Sequence, residues 1–417
     1  MTEAVLGIDI GTSGVRIAAR GRDGDLLAVA SAALQVHFGN LQDPDLWWQA
    51  VAAAFAVLDL QGIKILALSI DGTSGTILPI DGEGKPLAFA SMYNDVADPA
   101  HVTLIKATAP PETAAHGATS PLARAIPRQA GVARILHQAD WLMGKFCGRF
   151  DVSDENNALK SGYDPLLRRW PAWLVDIGMK AALLPDVVPA GTRVGTILPD
   201  VAKVFGLPDD VAVIAGTTDG CAGFLASGAS QPGDGATSLG TTLTLKLLSA
   251  TPVFAPDYGI YSHRIGDQWL AGGASNSGGV VLAQAFSKDD IVRLSVLIDP
   301  AVETGLDYYP LPKSGDRFPI NDSKLQPRMT PRPPRDEIYL QGLLEGIADI
   351  EALGYRRLAE LGASPLVSIR SAGGGAGNDT WTTIRLRKLK VPALPSASEH
   401  AAMGTARLAW RGIGHDA

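Results

Sequence analysis

Cysteine is nearly missing from these 417 residues: Cys147 and Cys221 are the two, and their separation fits neither a metal knuckle nor a redox pair. The seven histidines are scattered, so no histidine-rich metal site is written into the chain. Basic charge is in deficit, with 36 Lys and Arg against 43 Asp and Glu for a net charge of −7, which leaves no electrostatic footprint for nucleic acid or an anionic membrane. Long apolar runs are absent too. The longest apolar helix candidate, Ala50 to Leu58, falls well short of the roughly 20 residues that span a bilayer. The opening Met1-Thr2-Glu3-Ala4 lacks a basic start and an apolar signal core, so the expected compartment is the cytoplasm. Low-complexity tracts are also lacking, since the glycines and prolines fall at turns between apolar segments.

What is present is an ordinary globular composition, 46% hydrophobic and 19% charged. The length exceeds the roughly 250–300 residues at which one core stops growing, so two domains are expected. Its organising stretch is Gly7-Ile8-Asp9-Ile10-Gly11-Thr12-Ser13-Gly14. Val5 to Ile10 reads as a buried strand, Val15 to Ala18 resumes strand character, and Gly21-Arg22-Asp23-Gly24 turns into a third strand from Leu26. A dinucleotide fingerprint or a P-loop needs a helix straight after its glycines, and the P-loop also needs a lysine; both are absent here. The remaining reading is a β-hairpin whose backbone amides approach an anion. A carboxylate repels phosphate unless a cation lies between them, so Asp9 marks a candidate magnesium-phosphate site. An ordinary hairpin with an exposed aspartate stays open at this point.

Downstream, Asp43 and Pro44 start a packing helix that runs to Leu58. Ile63 to Ile70 is a buried strand entering Asp71-Gly72-Thr73-Ser74-Gly75-Thr76, then Ile77 to Ile80, which reads as a second copy of the opening design. Ser74 is expected to point its hydroxyl into a cleft, the alternative being that Asp71 and Ser74 only satisfy turn backbone. The stretch 97–127 reads as loop without chemistry, 135–143 as helix, 154–158 as a polar turn into a short helix, and 164–188 as a helical packing region. Val211 to Ala215 is a strand that delivers Gly216-Thr217-Thr218-Asp219-Gly220 at its carboxyl end, where ligands bind in α/β sheets. Asp219 is therefore a chemistry candidate, with a helix N-cap as the competing role.

The second half begins again with Ala236 to Lys246, a strand, a turn at Gly240-Thr241-Thr242 and a strand, and an internal duplication explains the echo. Gly272-Gly273-Ala274-Ser275-Asn276 stands at a further strand end. Residues 322–336 read as a surface loop before a long helix capped by Asp336. Val367 to Ser371 leads into Ala372-Gly373-Gly374-Gly375-Ala376-Gly377-Asn378, a bare slot for a flat ring that Trp381 can wall, core packing being the other reading of that tryptophan. The basic run from Arg385 to Lys390 reads as a solvated face.

Taken together, Gly7 to Ser13, Ala215-Gly216-Thr217-Thr218-Asp219, Ser238 to Thr242, Ser314 to Pro319 and Ala372 to Gly375 resemble, in order and spacing, the FGGY carbohydrate kinases across nearly the whole chain. The match resembles most a short branch similar to the D-ribulose kinases of cyanobacteria and plants, through Ile70 to Thr76, Gly272 to Asn276 and Gly305 to Pro312. That resemblance implies an α/β chain with the two-domain actin-like ATPase (ribonuclease H-like) fold of the sugar kinase and heat-shock ATPase superfold. It implies a first domain at 1–226, joined by a C-terminal helix at 400–417, and a second at 227–399.

The resemblance also implies ATP and Mg2+ as cofactors and a small-molecule sugar as substrate, with no nucleic-acid or membrane partner and a monomer or homodimer. Asp219 takes the proton of the attacking hydroxyl; Asp9 and Asp219 hold magnesium and contact substrate; and Ser74 contacts the sugar. Gly11, Thr12 and Ser13 grip the transferring phosphate, and Gly240, Thr241 and Thr242 the others. Gly273, Gly374, Gly375, Asn378 and Trp381 hold the nucleoside. The implied reaction is D-ribulose to D-ribulose 5-phosphate, against xylulose or another polyol, or a sugar-independent ATPase of the same superfold. Two departures stand out. Family members commonly have glutamate where Asp316 stands, expected to be a minor surface-turn change, and Tyr93-Asn94-Asp95-Val96-Ala97 lacks the arginine of a Trp-Asp-x-Arg sugar segment.

Overall fold

The computed structural model describes residues 1–34 and 42–415. The last two residues of the expected 400–417 helix lie outside that range. The chain forms two compact units: Met1–Gly228 with His263–Gly266 and Ser398–Ala417, and Ala229–Ser262 with Asp267–Ala397.

The first unit opens with β1 (Thr2–Ile10), β2 (Gly14–Gly21) and β3 (Leu26–Ala33), an antiparallel meander. Helix α1 (Pro44–Ala56) starts where Asp43 accepts the Asp45 amide at 3.0 Å and Pro44 occupies the first turn. Strand β4 (Ile63–Gly72) lies parallel to β1. Then follow β5 (Ile77–Ile80), α2 (Pro99–Thr108), α3 (Pro121–Ala125), β6 (Arg134–His137), α4 (Gln138–Cys147), β7 (Val152–Asp154), α5 (Glu155–Ala158), α6 (Trp173–Asp176), β8 (Asp186–Val188), β9 (Arg193–Thr196) and α7 (Pro199–Phe205). Strand β10 (Ala212–Thr218) runs parallel to β4 and enters α8 (Asp219–Ala226). The main sheet has the order β3-β2-β1-β4-β10-β9. Its central strands are buried along almost their whole length, as strands covered on both faces must be. One face packs Trp47, Phe55, Trp141 and Phe146, with Trp47 and Trp141 edge to face at 6.1 Å.

The second unit repeats that topology. Strands β11 (Asp234–Leu239) and β12 (Leu243–Ser249) form a hairpin. After the three-residue β13 (His263–Ile265), which counts with the first unit, β14 (Gln268–Ser275) adds antiparallel to β12. Helices α9 (Gly279–Ala285), α10 (Lys288–Ser295) and α11 (Asp336–Glu360) follow, then β15 (Ser368–Ala372), parallel to β11, and α12 (Asp379–Leu389). The order β14-β12-β11-β15 is the order β3-β2-β1-β4 of the first unit. The chain closes with α13 (Ala401–Gly412), a member of the first unit. No helix among the described residues is long and apolar enough to cross a membrane.

Several local expectations are corrected. The turn after β4 does not close a second hairpin, because β5 pairs with β6, a partner far along the chain. The stretch 135–143 divides into β6 and the start of α4. The region 164–188 is mostly turns, with helix confined to four residues of α6 and one short 3-10 turn. The segment 97–127 carries two helices and the buried Arg124, whose guanidinium donates to the Gly75 carbonyl at 2.6 Å and the Ser91 hydroxyl at 2.7 Å. Arg385, expected in a solvated face, is buried beside Glu351, and Lys388 pairs with Glu303 and Asp349. Asp336 is the first residue of α11, whose cap position is Arg335. Asp316 is no surface detail: it is buried and accepts from Ser275 Oγ, the Asn276 amide and the Tyr309 hydroxyl at 2.7–2.8 Å.

Candidate functional site

In the first unit, three adjacent parallel strands bring carboxylates to their carboxyl ends. The register pairs Asp9 of β1 with Asp71 of β4, and Asp71 in turn with Thr217 of β10, two residues before Asp219. Asp219 is exposed at the first position of α8. The cap there is Thr218, whose Oγ1 accepts the Cys221 amide at 3.4 Å, so the competing role for Asp219 goes to its neighbour. Asp219 Oδ1 accepts the Gly220 amide at 2.6 Å, and the side chain stands at the positive end of a helix.

Asp71 was the residue that sequence reasoning passed over as turn chemistry. It is 0% exposed; its Oδ2 accepts the hydroxyl of Thr405, from α13, and its Oδ1 meets no N–H or hydroxyl donor among the described residues. Burial, then the neighbouring Asp9 charge, pushes the Asp71 carboxyl well above the ordinary range. Burial also raises Asp9, partly offset by its hydrogen bond with Asp71, while the Asp219 charge raises it further. The signal in the sequence was the parallel between Ile8-Asp9 and Ile70-Asp71, each an aspartate at the end of an apolar strand.

The β1–β2 turn is closed by the Gly11 amide on the Gly14 carbonyl at 3.0 Å. Thr12 and Ser13 stand exposed at its tip, and their amides donate to no described residue. The Ser74 turn is held from several sides. Gln138 Oε1 accepts the Thr73 amide at 3.0 Å and the Thr73 hydroxyl at 2.7 Å, and Thr73 reaches Thr76 at 2.6 Å. Ser74 Oγ is itself buried and has no hydrogen-bond partner among the described residues. Asp95, without an arginine two residues on, accepts from the Met92 amide at 2.9 Å and Ser91 Oγ at 3.1 Å.

These donors suit a hard cation. Carboxylate and hydroxyl oxygens are the ligands Mg2+ takes, and the mutual repulsion of Asp9 and Asp219 is what a divalent charge relieves. Among the described residues no group of three or more His, Cys, Asp or Glu side chains is placed to hold a metal ion.

In the second unit a cavity of about 940 Å³ is lined by Gly240 and Thr241, by Gly374, Gly375, Asn378 and Trp381, and by the apolar face of α10. Gly374 has open space where a side chain would project, while Gly375 rests on the buried Trp381 ring, whose Nε1 donates to the Leu344 carbonyl at 3.2 Å. Trp381 is thus both core and cavity wall. Both ends of the Asn378 amide are engaged: Oδ1 accepts the Trp381 amide and Nδ2 donates to Ser295 Oγ, each at 2.9 Å. The β11–β12 turn is anchored through the Gly240 and Thr241 carbonyls, which accept the first amides of α9 at 2.9 and 3.0 Å; Thr242 completes that turn. Gly273 is a correction. It lies within β14 against the Phe318 ring, where a Cβ would come within 2.6 Å of the ring, and does not line the cavity.

Comparison with known proteins accords with this geometry. Residues 4–113 match the N-terminal domain of the FGGY family of carbohydrate kinases. The xylulose kinase of Escherichia coli (strain K12) is 27% identical over 90% of this chain and 83% of its own length. The ribulokinase of Halalkalibacterium halodurans is 25% identical over 46% of this chain and 41% of its own. The crystal structure of xylulose kinase from Rhodospirillum rubrum superposes with a TM-score of 0.85 at 22% identity, covering 99% of this chain and 91% of that one, a likeness of fold. The two-domain α/β fold is that of the solved sugar kinases, and the match over residues 4–113 makes the chain similar to the FGGY family of carbohydrate kinases.

Proposed function

We propose that the protein is an ATP-dependent ketopentose kinase that phosphorylates a hydroxyl of D-ribulose. The carboxylate cluster at the ends of three parallel strands is the observation that carries this reading. A sugar hydroxyl is a weak nucleophile, so transfer requires alignment, charge neutralisation and a base. Asp219, exposed and uncommitted on one oxygen, accepts the proton of the attacking hydroxyl. Asp9 and Asp219 hold magnesium, which neutralises charge on the phosphates when bound. Ser74, its hydroxyl unpartnered, contacts the sugar, as does Asp9. The hairpin tip at Gly11, Thr12 and Ser13 grips the transferring phosphate; Gly240, Thr241 and Thr242 serve the remaining ones. Gly374 and Gly375 form the floor for the purine, and Trp381 supports it from below. Asn378 acts by holding α10 and α12 together, since both ends of its amide are spent.

D-ribulose is favoured by the resemblance of the Ile70 to Thr76 turn to the short D-ribulose kinases. D-xylulose is the second reading, supported by the several xylulose kinases among the relatives. A cytoplasmic setting fits either substrate. The Asp219→Asn variant tests the central role: turnover should fall by about 10²–10⁴ while nucleotide binding stays within twofold. An unchanged turnover would remove Asp219 as the base.

A further inference from the structure

We propose that Thr405, on the C-terminal helix α13, is a positioning residue for the reaction, acting through Asp71 on Asp9. The inference rests on the kinase reading above and extends it to an element 334 positions from Asp71 in the chain. Helix α13 is seated in the first unit with backbone contact on two sides. A Cβ on Gly7 of β1 would run into the Ala402 carbonyl, and a Cβ on Gly404 would run into the Ala222 carbonyl of α8. The helix therefore touches both the strand that carries Asp9 and the helix that begins with Asp219, with no side chain between. Trp410, fully buried, secures its far end by donating to the Arg20 and Gly21 carbonyls at 3.2 Å each, and Arg407 donates to the Leu225 carbonyl at 2.9 Å.

Thr405 faces the carboxylates from this helix and is 0% exposed. Among the described residues its hydroxyl is the one donor that reaches Asp71, whose other oxygen has no hydrogen-bond partner and whose register neighbour on the adjacent strand is Asp9. Without that donor, a fully buried carboxyl oxygen loses its partner and the side chain is free to rotate. Asp9 then loses the fixed neighbour that orients it toward sugar and cation. Groups that orient a ligand from behind in this way commonly change affinity or activity by about 10–100-fold when removed. Thr405 touches no reacting atom in this scheme, so its influence passes through two carboxyl groups.

The test uses the full-length protein with Thr405→Val, which keeps the shape and deletes the hydroxyl, and Thr405→Ser, which restores it. Three quantities are read: kcat with the ketopentose, calorimetric affinity of the metal-free protein for that ketopentose, and the unfolding midpoint. Thr405→Val is expected to lower kcat about tenfold and weaken sugar binding several-fold, with ATP affinity within twofold; Thr405→Ser recovers most of both. If Thr405→Val lowers only the unfolding midpoint, or if Thr405→Ser is as impaired as Thr405→Val, the proposal is overturned. An unaltered protein that no sugar stimulates overturns the kinase reading and this inference together, an outcome distinct from an active parent with an indifferent Thr405→Val variant.

Discussion

Replacing Arg385 with methionine should destabilise the second unit by about 3 kcal/mol, at the lower end of the range for stranding one member of a buried ion pair. Arg385 Nε donates to Glu351 Oε2 at 2.6 Å and Nη2 to Oε1 at 2.7 Å, with the two side chains 2% and 0% exposed. Nη1 also donates to Ser371 Oγ at 2.7 Å. Methionine matches the length and apolar stem but leaves the Glu351 carboxylate buried without its counter-charge. Thr237 still donates to Oε1 at 2.6 Å, which is why the lower end of the range applies. The pair ties α11 and α12 to β11 and β15, the elements that carry the glycine strip. Urea titration followed by tryptophan fluorescence reads the change, since Trp381 sits on α12. At a slope of ~2–3 kcal/mol per molar, the midpoint should fall by about 1 M or slightly more. Replacing Glu351 with leucine in the same chain should recover most of that loss, because a well-packed apolar pair replaces a buried charge pair at little cost. A single-variant loss below about 1 kcal/mol, or a double variant worse than both singles combined, would refute the reasoning.

Two further outcomes are expected. Gly374→Leu should fill the cavity of the second unit without strain, since a Cβ there meets open space, so ATP affinity falls at least about tenfold while the unfolding midpoint holds; retained affinity would move the nucleotide elsewhere. Asp154 is buried and pushed from 3.8 up to about 7, by burial first and then by the Asp140 charge. A raised carboxyl stabilises fully below its unfolded value and loses that contribution as pH climbs, so stability should decline between about pH 4 and pH 7, by at most roughly 4 kcal/mol, and Asp154→Asn should flatten this segment of the pH profile.

Much of the fold was legible because hairpins and strand ends are local. Gly7 to Gly14 and Ser238 to Thr242 carry their turn chemistry within eight residues, and Asp219 follows directly on its strand. The misread parts depend on distant partners. The pattern of β4, turn and β5 looks like that of β1, turn and β2, yet β5 finds its partner at Arg134–His137, which no local periodicity announces. Arg124 supplies a guanidinium near Asp95 from a segment without strong patterning. Arg385 lies in a charged run that composition alone makes solvated; only the buried Glu351 on α11 explains its burial. Thr405 shows the same limit most plainly, a small residue on a terminal helix whose partner is one aspartate of the first sheet.

The most direct test of the account is ADP release from ATP and Mg2+ across ketopentoses, aldopentoses and polyols, each against a control without sugar. Stimulation by D-ribulose well above every other sugar, lost in Asp219→Asn, is the predicted result. Stimulation by D-xylulose instead would keep the chemistry and replace the substrate. Basal ATP hydrolysis that no sugar accelerates would contradict the kinase account and favour a sugar-independent ATPase on the same fold.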